Sequence, residues 1–236
     1  MNVFEQPGYS EGSGLRRIQV VFVIDTSNSM ATLIGELRDA IADISEIYSN
    51  FRMKSEFQLV EFRHIATDGP LRRITEDWIE DSSIFSRMVS ELEATGGGPF
   101  KESINEALIL ASNSKWDKAR STSRVIVLAT DSKPDQSSVK IAEVKDHFTV
   151  AGIDQFYYFV DPNFEDEYLI LCEAENRSGN PITPCLLRLV IPLNGDDIRR
   201  QFREFAEHSG YSVPENPGPE SDDFDADEQS GDVVGL

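Results

Sequence analysis

The sequence predicts an α/β protein. Its expected core is a doubly wound, mainly parallel central sheet with one antiparallel edge strand and helices on both faces. Three observations carry that expectation. Strand-like and helix-like segments alternate along the chain. Ile18-Gln-Val-Val-Phe-Val-Ile24 is mostly β-branched or aromatic, which suits a strand covered on both faces. That run ends abruptly at Asp25, and a second apolar run, Arg124-Val-Ile-Val-Leu128, ends just before Asp131. Two acids thus fall at strand C-terminal ends, where open α/β sheets bind their ligands.

The first strand, Ile18 to Ile24, is followed by a helix expected from about Thr32 to Phe51. Leu33, Leu37, Ile41, Ile44 and Tyr48 recur there at helical spacing, with Glu36, Arg38 and Asp43 off that face. Phe57 to Phe62 reads as the second strand, and Leu71 to Ile74 as an edge strand antiparallel to it. Ser83 to Glu93 is a short helix carrying Ile84, Phe85, Met88, Val89 and Leu92. A glycine-rich loop, Thr95-Gly-Gly-Gly98-Pro99, precedes a helix expected from about Phe100 to Ser112, with Ile104, Ala107, Leu108 and Ala111 as its apolar stripe. Val125 to Ala129 is a strand, Val139 to Phe148 a helix, and Gln155 to Val160 another strand. Tyr168 to Glu175 fits helical spacing, with Gly179 as a stop. Leu186 to Ile191 is the last strand and Asp196 to His208 the last helix. No internal repeat is visible.

Composition divides the 236 residues into three parts. Residues 1–14, with Pro7, Gly8, Gly12 and Gly14, read as a flexible lead-in. Residues 15–210 hold the folded domain. Residues 211–236 are expected to be an acidic disordered tail: eight acids, no bases and little apolar surface to offset the entropy of ordering. The formal net charge is −20, and 34 acidic against 22 basic residues leave −12 in residues 1–210. That balance argues against nucleic acid and against anionic membrane surfaces as partners. No stretch reads as a signal peptide or a membrane span. Cys172 and Cys185 sit in apolar company and are expected to be buried free thiols. With no disulfide expected, the chain reads as cytoplasmic.

The chemistry concentrates after the first strand, at Asp25-Thr-Ser27-Asn-Ser29. Asp25, Ser27 and Ser29 offer three oxygens from one short loop, a set suited to a hard cation such as Mg²⁺, Mn²⁺ or Ca²⁺. The alternative is local: Asp25 caps the turn while the serines satisfy backbone groups at a helix start. Asp131, at a second strand end, favours the cation. His64, His147 and His208 share no metal-ligand spacing, so zinc is not expected. Neither a phosphate-binding Gly-x-x-x-x-Gly-Lys-Ser/Thr loop nor a Gly-x-Ser-x-Gly elbow occurs.

Asp25-x-Ser27-x-Ser29 after an apolar strand resembles the metal-ion-dependent adhesion site of von Willebrand factor A (vWA) domains. Ala129-Thr130-Asp131-Ser132 and Thr95-Gly-Gly-Gly98 extend the resemblance, which covers roughly residues 16 to 210. It implies a Rossmann-like vWA fold with Ser27 and Ser29 as direct ligands of Mg²⁺. Asp25 and Asp131 are then carboxylate ligands, at least through water. A partner's carboxylate completes the shell. The family commonly adds a threonine from the glycine-rich loop. Here the best-matching slot falls on Gly98 or Pro99, which lack a side-chain oxygen, and Thr95 and Glu102 are the candidate substitutes. The chain looks most like compact bacterial intracellular members of the TerY type. That implies a scaffold or adaptor working beside a kinase, a phosphatase or an AAA+ ATPase in a stress-response or defence system. The expectation is protein binding and not catalysis. The alternatives are a metal-dependent phosphoryl-transfer enzyme built on Asp25, though such enzymes carry a second aspartate where Ser27 stands, or a structural subunit with a degenerate, metal-free site.

Overall fold

The computed structural model describes residues 17–50, 53–97, 101–119, 121–188 and 195–211. In chain order its elements are β1 (Arg17–Asp25), α1 (Ile34–Asn50), β2 (Lys54–Phe62), α2 (Ile65–Asp68), β3 (Arg72–Arg73), α3 (Ser82–Ser90), β4 (Lys101–Glu102), α4 (Ile104–Ser112), β5 (Thr122–Thr130), β6 (Lys133–Pro134), α5 (Ile141–Ala151), β7 (Gln155–Val160), α6 (Glu165–Leu169), β8 (Thr183–Arg188) and α7 (Gly195–Tyr211). Six strands form one sheet in the order β3-β2-β1-β5-β7-β8. The pairs are parallel except β2 with the short edge strand β3. The doubly wound, mainly parallel α/β architecture expected from the sequence is therefore present.

β1 shows why an unbroken apolar run is needed at the centre. Ile18, Val20, Phe22 and Ile24 pack into one core cluster with α1, α3 and α7. Val21 and Val23 pack on the other face with α4 and α5. Side chains alternate across a strand, so a strand with helices on both faces must be apolar at both phases. Aromatic rings fill the first layer: Phe57 stacks on Phe85 at 4.7 Å, and Phe159 on Phe202 at 4.0 Å. α3 is held at its start by Asp81, whose carboxylate accepts from the backbone N–H of Ser83 and Ile84.

Several boundaries differ from the sequence expectation for tertiary reasons. The helix expected from Phe100 begins at Ile104, because Lys101 and Glu102 pair with Lys133 and Pro134 in a separate two-stranded parallel sheet. The partner strand lies some thirty residues away, beyond what helical periodicity can sense. The first long helix is preceded by a 3-10 turn at Asn28–Thr32. Tyr168 to Glu175 is not one helix. α6 gives way to a 3-10 turn at Ile170–Glu173, and Ala174 turns extended as Glu175 bridges to Pro181. The last strand is Thr183–Arg188, and the expected part at 189–191 lies outside the described residues. So do the lead-in and the tail beyond Tyr211. Cys172 is a half-buried free thiol whose pKa burial pushes up to about 11. The Cys185 side chain is outside the described set.

Phe85 carries the packing of α3 on the sheet, being fully buried against Phe22 and Phe57. Phe85→Ala is expected to cost about 3–5 kcal/mol in urea unfolding. Ile84→Ala, at a 39% exposed neighbour, should cost under about 1 kcal/mol. Equal losses at the two positions would contradict this packing.

Candidate metal centre

β1 lies between β2 and β5, so the chain leaves its C-terminal end at the crevice where connections diverge to opposite faces. Asp25 closes β1 and is 0% exposed. Its Oδ1 accepts from the Ser27 backbone N–H at 2.8 Å, and its Oδ2 accepts from Thr130 Oγ1 at 2.6 Å. Thr130 in turn accepts from the Ser132 N–H at 3.1 Å. Thus the last residue of β5 fixes the aspartate of β1, and the same hydroxyl shapes the turn that presents Asp131.

Ser27 has extended backbone, and the 3-10 turn then brings Ser29 back beside it. The two hydroxyl oxygens are 3.0 Å apart, and Ser29 Oγ donates to Asp131 Oδ1 at 2.9 Å. Ser132 Oγ also donates to that oxygen, at 3.1 Å. All four residues singled out in the sequence, Asp25, Ser27, Ser29 and Asp131, therefore meet in one hydrogen-bonded cluster, although 102 positions separate Ser29 from Asp131.

The glycine-rich loop lies against the serine loop through two backbone bonds. Asn28 N–H donates to Gly96 O and Thr95 N–H to Thr26 O, both at 2.9 Å. Gly97 has φ +103°, and a Cβ there would stand 2.8 Å from Ser27 Cβ and 2.9 Å from Glu102 Oε1. Only glycine permits so close an approach. The same two distances place the Glu102 carboxylate beside Ser27. Glu102 is 2% exposed, whereas Thr95 is exposed. Glu102 is thus a buried carboxyl group close to Ser27, and Thr95 meets the serine loop through its backbone N–H. Gly98 and Pro99 lie outside the described residues.

The donors are hard oxygens alone, two hydroxyls and carboxylates, which fit Mg²⁺ chemistry. Among the described residues no group of three or more histidine, cysteine, aspartate or glutamate side chains is placed to hold a metal ion. The centre is a mixed hydroxyl–carboxylate set, not a carboxylate cage. Thr130 was missed as its organiser. The available signal was its place one residue before Asp131, at the end of a buried strand. The turn reading of Asp25 is also visible in its bond to the Ser27 N–H, but Ser29 turns to Asp131 and not to a helix start.

Oxygen donors gathered at the carboxyl ends of two central parallel strands mark a Rossmann-like α/β domain with a candidate site at its switch point. The model of the von Willebrand factor A domain family matches residues 19–149, more than half of the chain, and the chain belongs to that family. Among solved structures, a von Willebrand factor type A protein from Catenulispora acidiphila is similar with a TM-score of 0.60 and 16% identity, over 84% of this chain and 47% of that one. This chain thus spans about half the length of that protein, and at such identity the likeness concerns the fold. No curated protein matches. Among the described residues no helix is long and apolar enough to cross a membrane.

Burial pushes the Asp25 carboxyl up from 3.8 to about 6, against the lowering bonds from Thr130 and Ser27, with the Asp131 charge adding to the rise. A folded-state pKa above the unfolded value means the folded protein holds more protons between the two. Stability of the metal-free protein therefore falls as pH rises from 3.8 to about 6. The cost of the buried charge is about 3 kcal/mol above that window, at 1.36 kcal/mol per unit. Asp25→Asn is expected to stabilise the protein by about 1–3 kcal/mol at pH 8 in EDTA and to change it little at pH 3.5. Thermal unfolding at the two pH values checks this.

Proposed function

We propose that this chain is a protein-binding vWA domain that engages an acidic side chain of a partner through a divalent cation held by Asp25, Ser27, Ser29 and Asp131. The observation that carries the reading is the continuous link Ser27 Oγ, Ser29 Oγ, Asp131 Oδ1, which joins the loops after β1 and β5 at one point. Ser27 and Ser29 hold the cation through hydroxyl lone pairs, and Asp131 and Asp25 supply the balancing charge. Thr130 keeps Asp25 in place. Bound there, Mg²⁺ would supply a positive centre open to a carboxylate, and Mn²⁺ or Ca²⁺ would serve by the same chemistry. In a domain this acidic, the cation is what turns repulsion of an acidic partner into attraction.

The reading is binding, not catalysis. Asp25 has no exposed surface and both its oxygens accept hydrogen bonds, a poor arrangement for a nucleophile that must reach a phosphorus atom. vWA domains commonly mediate protein interactions. The motif resemblance to TerY-type members supports a cytoplasmic scaffold or adaptor beside a kinase, phosphatase or AAA+ ATPase of a bacterial system.

Calorimetric titration of Mg²⁺ and Mn²⁺ into the full chain tests the site, with Asp25→Ala/Ser27→Ala beside it. Weak binding to other acids is common to both proteins and cancels in the difference. One saturable site present only in the parent is expected. Superimposable isotherms would mean a degenerate, metal-free site.

A further inference from the structure

Beside the cluster stands a pair of lysines that the cation bridge does not use. β4 and β6 set Lys101 in register with Lys133, and strands so paired lie about 4.8 Å apart. Alternation sends Glu102 and Pro134 inward, where both are buried, and turns Lys101 and Lys133 outward. Like charges side by side on neighbouring strands repel. In a chain of net charge −20 the pairing is notable, since acids are abundant. Lys133 Nζ is 3.6 Å from Glu167 Oε1 and 5.0 Å above the Phe164 ring, yet its side chain stays 44% exposed. Lys101 is exposed, with Asp135 the acid that feels its charge.

Position gives the pair its meaning. Lys101 precedes Glu102, and Lys133 follows Asp131 by two residues. Glu102 places a carboxyl group in the loop where the family commonly has a threonine. A bound cation would offer its open position to one carboxylate. Lys101 and Lys133 add positive charge within two residues of Glu102 and Asp131, offset in part by Asp135 and Glu167. We propose that Lys101 and Lys133 are specificity-determining residues that select a partner segment with two neighbouring acidic side chains, one for the cation and one for the lysine pair. The inference rests on the cation-bridge reading above.

The test uses the full chain with saturating Mg²⁺ and two probes, acetyl-Gly-Glu-Glu-Gly-amide and acetyl-Gly-Glu-Gly-Gly-amide, followed by amide NMR shifts. The two-acid peptide should bind about two- to fivefold tighter, the scale of exposed charge pairs. Lys101→Gln/Lys133→Gln should remove that advantage without weakening Mg²⁺ binding. Lys101→Arg/Lys133→Arg, folded alike and equally charged, should keep it. Persistence of the advantage in the glutamine variant overturns the proposal, as does failure of the parent to bind the two-acid peptide. A lysine-dependent advantage that survives EDTA would instead overturn the cation bridge and leave the lysine pair standing.

Discussion

The hydrogen bond from Thr130 Oγ1 to Asp25 Oδ2, at 2.6 Å, is the constraint on which the rest of the site depends. It joins the ends of the two central strands and fixes a carboxylate that burial would otherwise disfavour. A buried acid persists only where hydrogen bonds or charge partners hold it. Asp25 has the Thr130 hydroxyl and the Ser27 N–H and no cationic side chain bonded to it among the described residues. The rise of its pKa to about 6 reflects that incomplete compensation.

Around this bond three loops are locked to one another. The serine loop is tied to the glycine-rich loop by Asn28 N–H to Gly96 O and Thr95 N–H to Thr26 O. The glycine-rich loop leads into β4, which pairs with β6 just after Asp131. Asp135 N–H then donates to Glu102 O at 2.9 Å and continues the connection. Through Ser29 and Asp131 the circuit closes. A site held this way is preorganised. Its oxygens are placed by backbone pairing, so ordering the loops does not fall on the binding step.

Much of the fold was legible in the chain. β1, β5 and β7 are buried on both faces, and strands so placed carry apolar residues at both phases, a pattern that needs no partner to be recognised. α1 and α7 were legible because a helix against a sheet keeps one apolar stripe. The breaks came where a distant segment overrode local pattern. Lys101 and Glu102 were drawn into a strand by Lys133 and Pro134, and the expected helix at Tyr168–Glu175 was broken where Glu175 meets Pro181. Asp25, Ser27, Ser29 and Asp131 were legible as a cluster because each lies at or just beyond the end of an apolar strand.

The sequence by itself determined the layers of the fold, the family and the four oxygen-bearing residues. Each follows from periodicity or from short motifs in contiguous chain. Tertiary structure alone decided that Glu102 comes close to Ser27 across Gly97, that Thr130 secures Asp25, and that Lys101 and Lys133 pair in register. These depend on strand register and on the close approach at Gly97, where a single Cβ would collide with Ser27 and Glu102. Such contacts are set by residues tens of positions apart, and their geometry exists only once the sheet has brought the strand ends together.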